Sequence, residues 1–413
     1  MNLKKTIFTG FAPNLVLEDV VNSMKFLLLP WYWGRRKRGD SVAKVEEWLR
    51  DYFGIKYAIT FDSGRSSLYY GLKAMDIKEG DEVILQAYTC VVVVNAIKQT
   101  GATPIYADID DNFNMDPVDL EKKITKNTKV ILIQHTFGIP ADIDELLNIA
   151  KTYHIRVIED CAHSLGATYR GVKLGTFSDL AILSFGSDKV VSSNRGGAVI
   201  TNDDLLAKKI NEFKERLSYV SHWKIIQYLF YFPTFYKGKV LYSLGIGKAI
   251  LYLAKTLHIT NRVISKEEKQ GKQSIFYPAL FPNCLAFILL GQLKRLILVN
   301  SHRRMIARLY SKKIKNSNVR LPNMVGGGIF LRYNILTDKP DVLRAMCKEE
   351  NIILGDWYNT VVAPKDIAIE KTGYKPASCP RAEKFASQSV NLPTNIGVQS
   401  GEVDRVVRIV NSL

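Results

Sequence analysis

Between residues 57 and 184 short runs rich in β-branched and aromatic residues recur with helix-like stretches between them. The runs are "YAITF", "DEVILQ", "TPIYADI", "KVILIQH", "IRVIED" and "LAILSF", and "DIDELLNIAKTYH" is one of the separating stretches. Runs of this length read as strands, and their nearly unbroken apolar character reads as burial on both faces. Strand and helix in alternation fold into parallel strands joined by right-handed crossovers, with ligands expected at the carboxyl ends of the strands. The stretch "VAKVEEWLRDYFG" precedes the first strand, with apolar residues at helical spacing and a glycine stop at Gly54.

The 413 residues exceed one compact core and predict two or three units. Residues 1–40 read as an arm ending in "FLLLPWYWGRRKRGD", suited to a partner subunit or to a lipid surface. Residues 41–215 carry the α/β pattern. From 216 to 275 runs an aromatic and basic insertion, "WKIIQYLFYFPTFYKGKVLYSLGIGKAILYLAKTLHI", in which Lys237, Lys239, Lys248 and Lys255 border apolar residues. A helix of this composition has a broad apolar face with a basic margin, fit for a membrane interface or a subunit contact. Residues 276–413 mix a long helix, "LKRLILVNSHRRMIARLYSKKI", with strands in "GGIFLRYNIL" and a terminal helix "GEVDRVVRIVNSL", as in a small α+β domain.

Lysine and arginine number 57 against 40 aspartates and glutamates, a net charge of +17 that favours anionic partners. The basic residues are scattered and form no nucleic-acid reading motif, so no nucleic acid is expected. Five cysteines without a C-x-x-C pair predict reduced thiols and no metal site. No secretory signal and no run of roughly 18 apolar residues is legible. The expected location is the cytoplasm, with peripheral contact at the anionic inner membrane face as an extension.

Three strand ends carry chemistry. In "TFDSGRSSL" a strand passes through Gly64 into a helix, which either bares backbone N–H groups as a phosphate cradle or is an ordinary connection. In "VIEDCAHSLGA" Glu159 and Asp160 end an apolar strand; a carboxylate there either holds a cationic ring nitrogen or caps the next helix. His163 either meets the same ligand or is a satisfied core histidine. In "LSFGSDK" Ser184 and Ser187 offer hydroxyls, and Lys189, shielded from bulk water, would be a nucleophile toward a carbonyl. Phosphate cradle, ring-nitrogen carboxylate and nucleophilic lysine together describe a pyridoxal phosphate site.

These residues also carry a resemblance. "DSGRSSL", "GDEVILQAYTCVVVVNAIKQTGATPIYADID", "GIPADID", "IEDCAHSLGATYRGVKLGTFSDLAILSF" and Lys189 before "RGG" resemble the DegT/DnrJ/StrS-type sugar aminotransferases, a fold-type I pyridoxal phosphate family. The resemblance covers about residues 41–215 and resumes in "RR", "CPRAEKFA" and "VNLPTNI". It implies an α/β fold with a large domain built on a mostly parallel seven-stranded sheet and a smaller C-terminal α+β domain. It implies that Lys189 holds the cofactor covalently and later moves the proton, that Asp160 pairs with the ring nitrogen, and that His163 lies near the ring hydroxyl. Gly64, Arg65, Ser66 and Ser184 would hold the phosphate. The implied reaction moves an amino group, from glutamate, to a nucleotide-linked keto-sugar in a homodimer, with a lipid-linked keto-sugar as the alternative. A non-catalytic membrane-associated protein on the same core is the alternative of another class. Cys90 stands where the family has a ring-stacking aromatic, with Tyr88 close enough to substitute. "SNRGG" replaces the usual "GEGG", and "FYPALFPN" replaces a Gly-Tyr-Asn segment that reaches the partner's phosphate.

Overall fold

A computed structural model of the chain describes residues 5–10, 12–260, 264–272 and 277–413. Within the insertion, residues 261–263 and 273–275 lie outside the described residues, as does Phe276 of the "FYPALFPN" stretch. The organising element is a seven-stranded sheet in the spatial order Tyr57–Phe61, Gly197–Thr201, Leu180–Ser184, Arg156–Asp160, Thr128–Gln134, Glu82–Gln86, Thr103–Ala107. Each of the six expected runs forms one of these strands. The seventh, "GAVIT", is the single antiparallel member and pairs with Tyr57–Phe61 on one side and Leu180–Ser184 on the other. It follows the "RGG" stretch and escaped the strand reading because its glycines mimic a turn.

Side chains alternate across the sheet as strand geometry requires. Ile59, Phe61, Ile182 and Val199 face one core cluster, which includes Leu68 and Leu72 of helix Gly64–Ala74. Ala58, Leu183, Ala198 and Ile200 face another, with Val45 and Leu49 of helix Ser41–Phe53 and Leu285 and Leu289 of helix Asn283–Lys294. Because both faces are covered, the strands read as continuous apolar runs.

The smaller, C-terminal sheet has three antiparallel strands, Val319–Arg320, Tyr333–Thr337 and Ser389–Leu392, with helices Pro340–Glu349, Pro380–Gln388 and Ser400–Asn411 around it. The long helical segment expected near residue 300 is broken at Arg295, where helices Asn283–Lys294 and Leu296–Lys313 meet at 55°. Among the described residues no single helix is long and apolar enough to cross a membrane. At the amino terminus Ile7–Phe8 pairs with Ile352–Ile353, and helix Leu17–Leu28 packs against helix His222–Val240 of the insertion.

Topology gathers distant residues. The strands ending at Phe61, Asp160 and Ser184 run the same way, so their carboxyl ends share one edge of the sheet, and the antiparallel strand brings its first residue, Gly197, to that edge.

Candidate functional site

Beyond Ser184 the chain leaves the sheet in a turn closed by the Lys189 N–H donating to the Gly186 carbonyl at 3.2 Å. This turn is held from outside. Asn14 donates through Nδ2 to the carbonyls of Lys189 and Val190 at 3.0 and 2.6 Å, and Arg303 Nη2 donates to the Val190 carbonyl and to Asn14 Oδ1 at 3.2 and 2.9 Å. Arg303 is fully buried, and burial pushes its guanidinium down to about 9.

The Lys189 Nζ lies 3.0 Å from His163 Nε2. On the other side of that ring the Phe137 N–H donates to Nδ1 at 3.4 Å. Burial first, and then the nearby charges of Lys189 and Arg332, hold His163 well below the ordinary histidine range. It is a neutral ring in contact with the lysine. Its ring lies parallel to that of Phe137, centroids 5.9 Å apart, with Tyr358 at 6.1 Å.

Asp160 closes its strand, is buried, and accepts the Ala162 N–H at 2.9 Å. Burial raises its carboxyl above the usual range, opposed by the Ala162 bond and the charges of Lys189 and His135. Among the described residues this carboxylate has no ion pair, and the Lys189 charge acts on it. Glu159, its neighbour, is spent differently. Its oxygens accept from the Gly175 and Phe177 N–H groups at 2.7 and 2.9 Å and from Ser178 Oγ at 3.0 Å, with His135 Nε2 at 3.2 Å. Alternation along the strand separates the two carboxylates, one holding a loop and one facing the site.

At the third strand end Ser63 caps helix Gly64–Ala74 by accepting the Ser66 N–H at 3.3 Å. A Cβ on Gly64 would stand 2.8 Å from the Ser184 Cβ, so this approach of helix to strand requires glycine and sets Ser184 against the turn. Gly197 is equally constrained, since its Cβ would meet the Ser63 carbonyl carbon at 2.4 Å. Arg65 is ion-paired with the buried Glu268, and its Nη1 donates to the Tyr277 hydroxyl at 3.3 Å. Burial is the largest influence and works against its charge, but the Glu268 carboxylate and Tyr277 together outweigh it and its pKa rises.

Asp62, beneath this turn, accepts from Ser66 Oγ at 2.7 Å and from the Ala279 N–H at 3.1 Å, and burial raises its pKa to about 6. A folded-state value above the unfolded 3.8 means the folded protein binds the proton more tightly. Stability from this group therefore falls as pH rises from about 4 to about 6, by roughly 2–3 kcal/mol, and is constant above. Urea unfolding of Asp62→Asn should lack that decline, and an unchanged pH profile would refute the assignment.

The other sequence-selected residues lie around this edge. Cys90 caps the amino end of helix Val91–Lys98, half-buried, its thiol pushed up to about 11 by burial while the charges of Lys189 and Arg65 act the other way. Tyr88 is fully buried, its hydroxyl 2.6 Å from Ser389 Oγ and its ring edge-on to Tyr358 at 5.1 Å. Ser187 is buried in the lysine turn. Sequence reasoning missed Arg332, whose Nη2 donates to Asp188 Oδ2 at 3.0 Å, and it missed Tyr358, Glu268, Asn14 and Arg303. They arrive from chain segments remote from the strand-end motifs; the signals were "RR" at Arg303 and "LRYN", an arginine inside an apolar strand pattern.

The model of the DegT/DnrJ/EryC1/StrS aminotransferase family matches residues 31–224 and 248–411. GDP-perosamine synthase of Escherichia coli O157:H7 is 40% identical over 178 residues, 43% of this chain and 49% of that protein. The chain thus spans about half the length of that relative. The dTDP-3-amino-3,6-dideoxy-alpha-D-galactopyranose transaminase of Aneurinibacillus thermoaerophilus is 30% identical over 377 residues, 90% of each chain. Among solved structures, NtdA from Bacillus subtilis with bound cofactor PMP superposes with a TM-score of 0.75 at 24% identity, covering 96% of this chain and 82% of that one.

Proposed function

The chain belongs to the DegT/DnrJ/EryC1/StrS aminotransferase family, and from that premise we propose that it is a pyridoxal phosphate-dependent aminotransferase that moves an amino group from glutamate to a nucleotide-linked keto-sugar. The observation that carries the reading is the convergence of Lys189, Asp160 and the Gly64 turn with Ser184 at one edge of the sheet.

The donor set fits the cofactor. A Cβ on Gly64 would close the turn, and the amino end of helix Gly64–Ala74, capped here by Ser63, would hold a phosphate with Ser66, Ser184 and Arg65. Asp160, a buried carboxylate without an ion pair, suits a cationic ring nitrogen. His163, in contact with Lys189, would lie near the ring hydroxyl. When bound, the cofactor supplies an electron sink for the carbanion at the substrate carbon. The protein supplies the rest: Lys189 is the covalent anchor and then the base that moves the proton, Asp160 keeps the ring nitrogen protonated, and His163 and Tyr358 limit water. Cys90 and Tyr88 border the ring site.

The named relatives carry GDP- and dTDP-linked products, which favours a nucleotide carrier over a lipid carrier. A full donor set argues for an enzyme rather than a binding protein on the same core. A homodimer is favoured by helix Leu17–Leu28, whose exposed Leu17, Val21 and Leu28 fall on one face and form an apolar stripe.

Incubation with glutamate and a panel of GDP-, dTDP- and UDP-linked keto-sugars tests the reading. Release of 2-oxoglutarate with formation of an amino-sugar nucleotide is expected for at least one member, and transfer to none of them would contradict the carrier assignment.

A further inference from the structure

Helix Leu296–Lys313 serves the catalytic edge with one face and leaves another unused. Asn300 and Arg303 point inward, Asn300 Nδ2 donating to the Leu165 carbonyl at 3.0 Å and Arg303 to the lysine turn. Arg304, Arg308 and Lys312 follow at i, i+4 and i+8, a single row that spans roughly 12 Å at about 1.5 Å per residue. All three line one cleft of about 360 Å³, together with the loop of residues 324–328, and no acidic residue lines it. Arg304 is half-buried and the other two are exposed. The neighbouring Lys313 is ion-paired with Asp404, but among the described residues Arg304, Arg308 and Lys312 have neither an ion pair nor a hydrogen bond.

The facing wall of the cleft is the glycine run in "MVGGGIF". Gly327 is fixed by packing, since its φ is +86° and a Cβ there would stand 2.0 Å from the Thr168 carbonyl oxygen. Gly328 closes the turn by donating to the Val325 carbonyl at 3.3 Å. Gly326 answers to neither demand: its φ lies outside the left-handed region and a Cβ would meet nothing within 4 Å. A glycine that the fold does not require leaves the wall bare for close approach of a ligand. The Gly326 and Gly327 N–H groups donate to no other described backbone group. Two successive amides without acceptors, in a loop across from a row of unpaired cations, make an anion site. The row is longer than one phosphate needs, the volume is that of a small-molecule pocket, and Met324 and Val325 add an apolar lip suited to a sugar or base.

We propose that this cleft binds the diphosphate group of a nucleotide. Arg304 and Arg308 donate to the phosphate oxygens, Lys312 adds a third charge, and the Gly326 turn meets the ligand through its backbone. The cleft lies outside the catalytic edge but is tied to it. The Ile329 N–H donates to the Gly138 carbonyl at 2.9 Å and the Leu331 N–H to the Phe137 carbonyl at 2.7 Å, and the Phe137 ring lies against His163. The diphosphate has two possible sources, the carrier of a nucleotide-linked keto-sugar and a free nucleoside diphosphate; only the first rests on the reaction proposed above.

Calorimetric titration of the full-length protein with GDP, inorganic pyrophosphate and inorganic phosphate tests this, with pyridoxal phosphate already bound so that the Gly64 turn is filled. GDP and pyrophosphate should bind, phosphate at least about tenfold more weakly, and all should weaken as added salt shortens the Debye length. The double variant Arg304→Gln, Arg308→Gln should bind GDP about 100-fold more weakly, roughly tenfold for each arginine. Gly326→Val, which fills the bare wall, should weaken binding in the same direction. Both variants should keep the absorption band of the parent protein with pyridoxal phosphate, which separates loss of the cleft from unfolding. No binding of GDP and pyrophosphate by the parent protein, or binding unaffected by these variants, would overturn the proposal. A matching rise in KM for a keto-sugar nucleotide at unchanged kcat supports the cleft as the carrier's seat, and lost GDP affinity at unchanged KM supports it as a seat for the free nucleotide. Should the parent protein turn over no keto-sugar, the titration still decides the cleft.

Discussion

Lys189→Ala should lose the visible absorption band that the parent protein gains with pyridoxal phosphate, and kcat for amino transfer should fall by about 10⁴-fold or more. The size follows from one side chain doing two jobs. On the proposed reading it would be both the covalent anchor and the base, so its removal leaves no amine at 3.0 Å from His163 to move the proton. The turn itself should survive, because Asn14 and Arg303 hold its backbone carbonyls and not its side chain. Thermal unfolding of the variant should therefore match the parent. Lys189→Arg should be as inactive, since a guanidinium keeps its charge and cannot act as base. A variant that retained both band and turnover would remove Lys189 from the reaction.

Asp160→Asn should produce two changes of opposite sign. Activity should drop by about 10²–10³-fold, the usual consequence of removing one preorganised electrostatic partner from a reacting centre. Stability of the cofactor-free protein at pH 7 should rise. Burial holds the Asp160 carboxyl above its ordinary value, so the folded state favours the proton and the charged form costs stability at every pH above the unfolded value. The amide removes that charge and keeps an oxygen for the Ala162 N–H at 2.9 Å. A buried carboxylate that weakens the empty protein and serves only the bound one is a stability cost tied to function. Urea unfolding and steady-state kinetics on the same preparation measure both signs. Loss of activity accompanied by loss of stability would mean that Asp160 is structural.

How much of this was legible before the structure depends on which force fixes each element. Strands buried on both faces write themselves as apolar runs, so the six parallel strands and the identity of their carboxyl ends could be read directly. The antiparallel strand Gly197–Thr201 could not, because its two leading glycines answer to the packing of Ser63 and Phe281, a tertiary demand with no local signature. The break at Arg295 was hidden likewise, since nothing in "LKRLILVN" opposes helix. At the site, Lys189, Asp160 and Gly64 were legible because each sits at the end of a recognisable strand. Asn14, Arg303 and Arg332 were not, because they reach the lysine turn from an arm, a helix and a second sheet, and only the folded chain shows that they meet. The sequence also offered Glu159 and Asp160 with equal force; the pleat separates them.

The account stands on Lys189 as the covalent partner of pyridoxal phosphate. Borohydride reduction of the protein with its cofactor, followed by proteolysis and mass spectrometry, tests this directly. The phosphopyridoxyl adduct should fall on Lys189 at near one equivalent. An adduct on any other lysine, or none at all from cofactor-saturated protein, would contradict it.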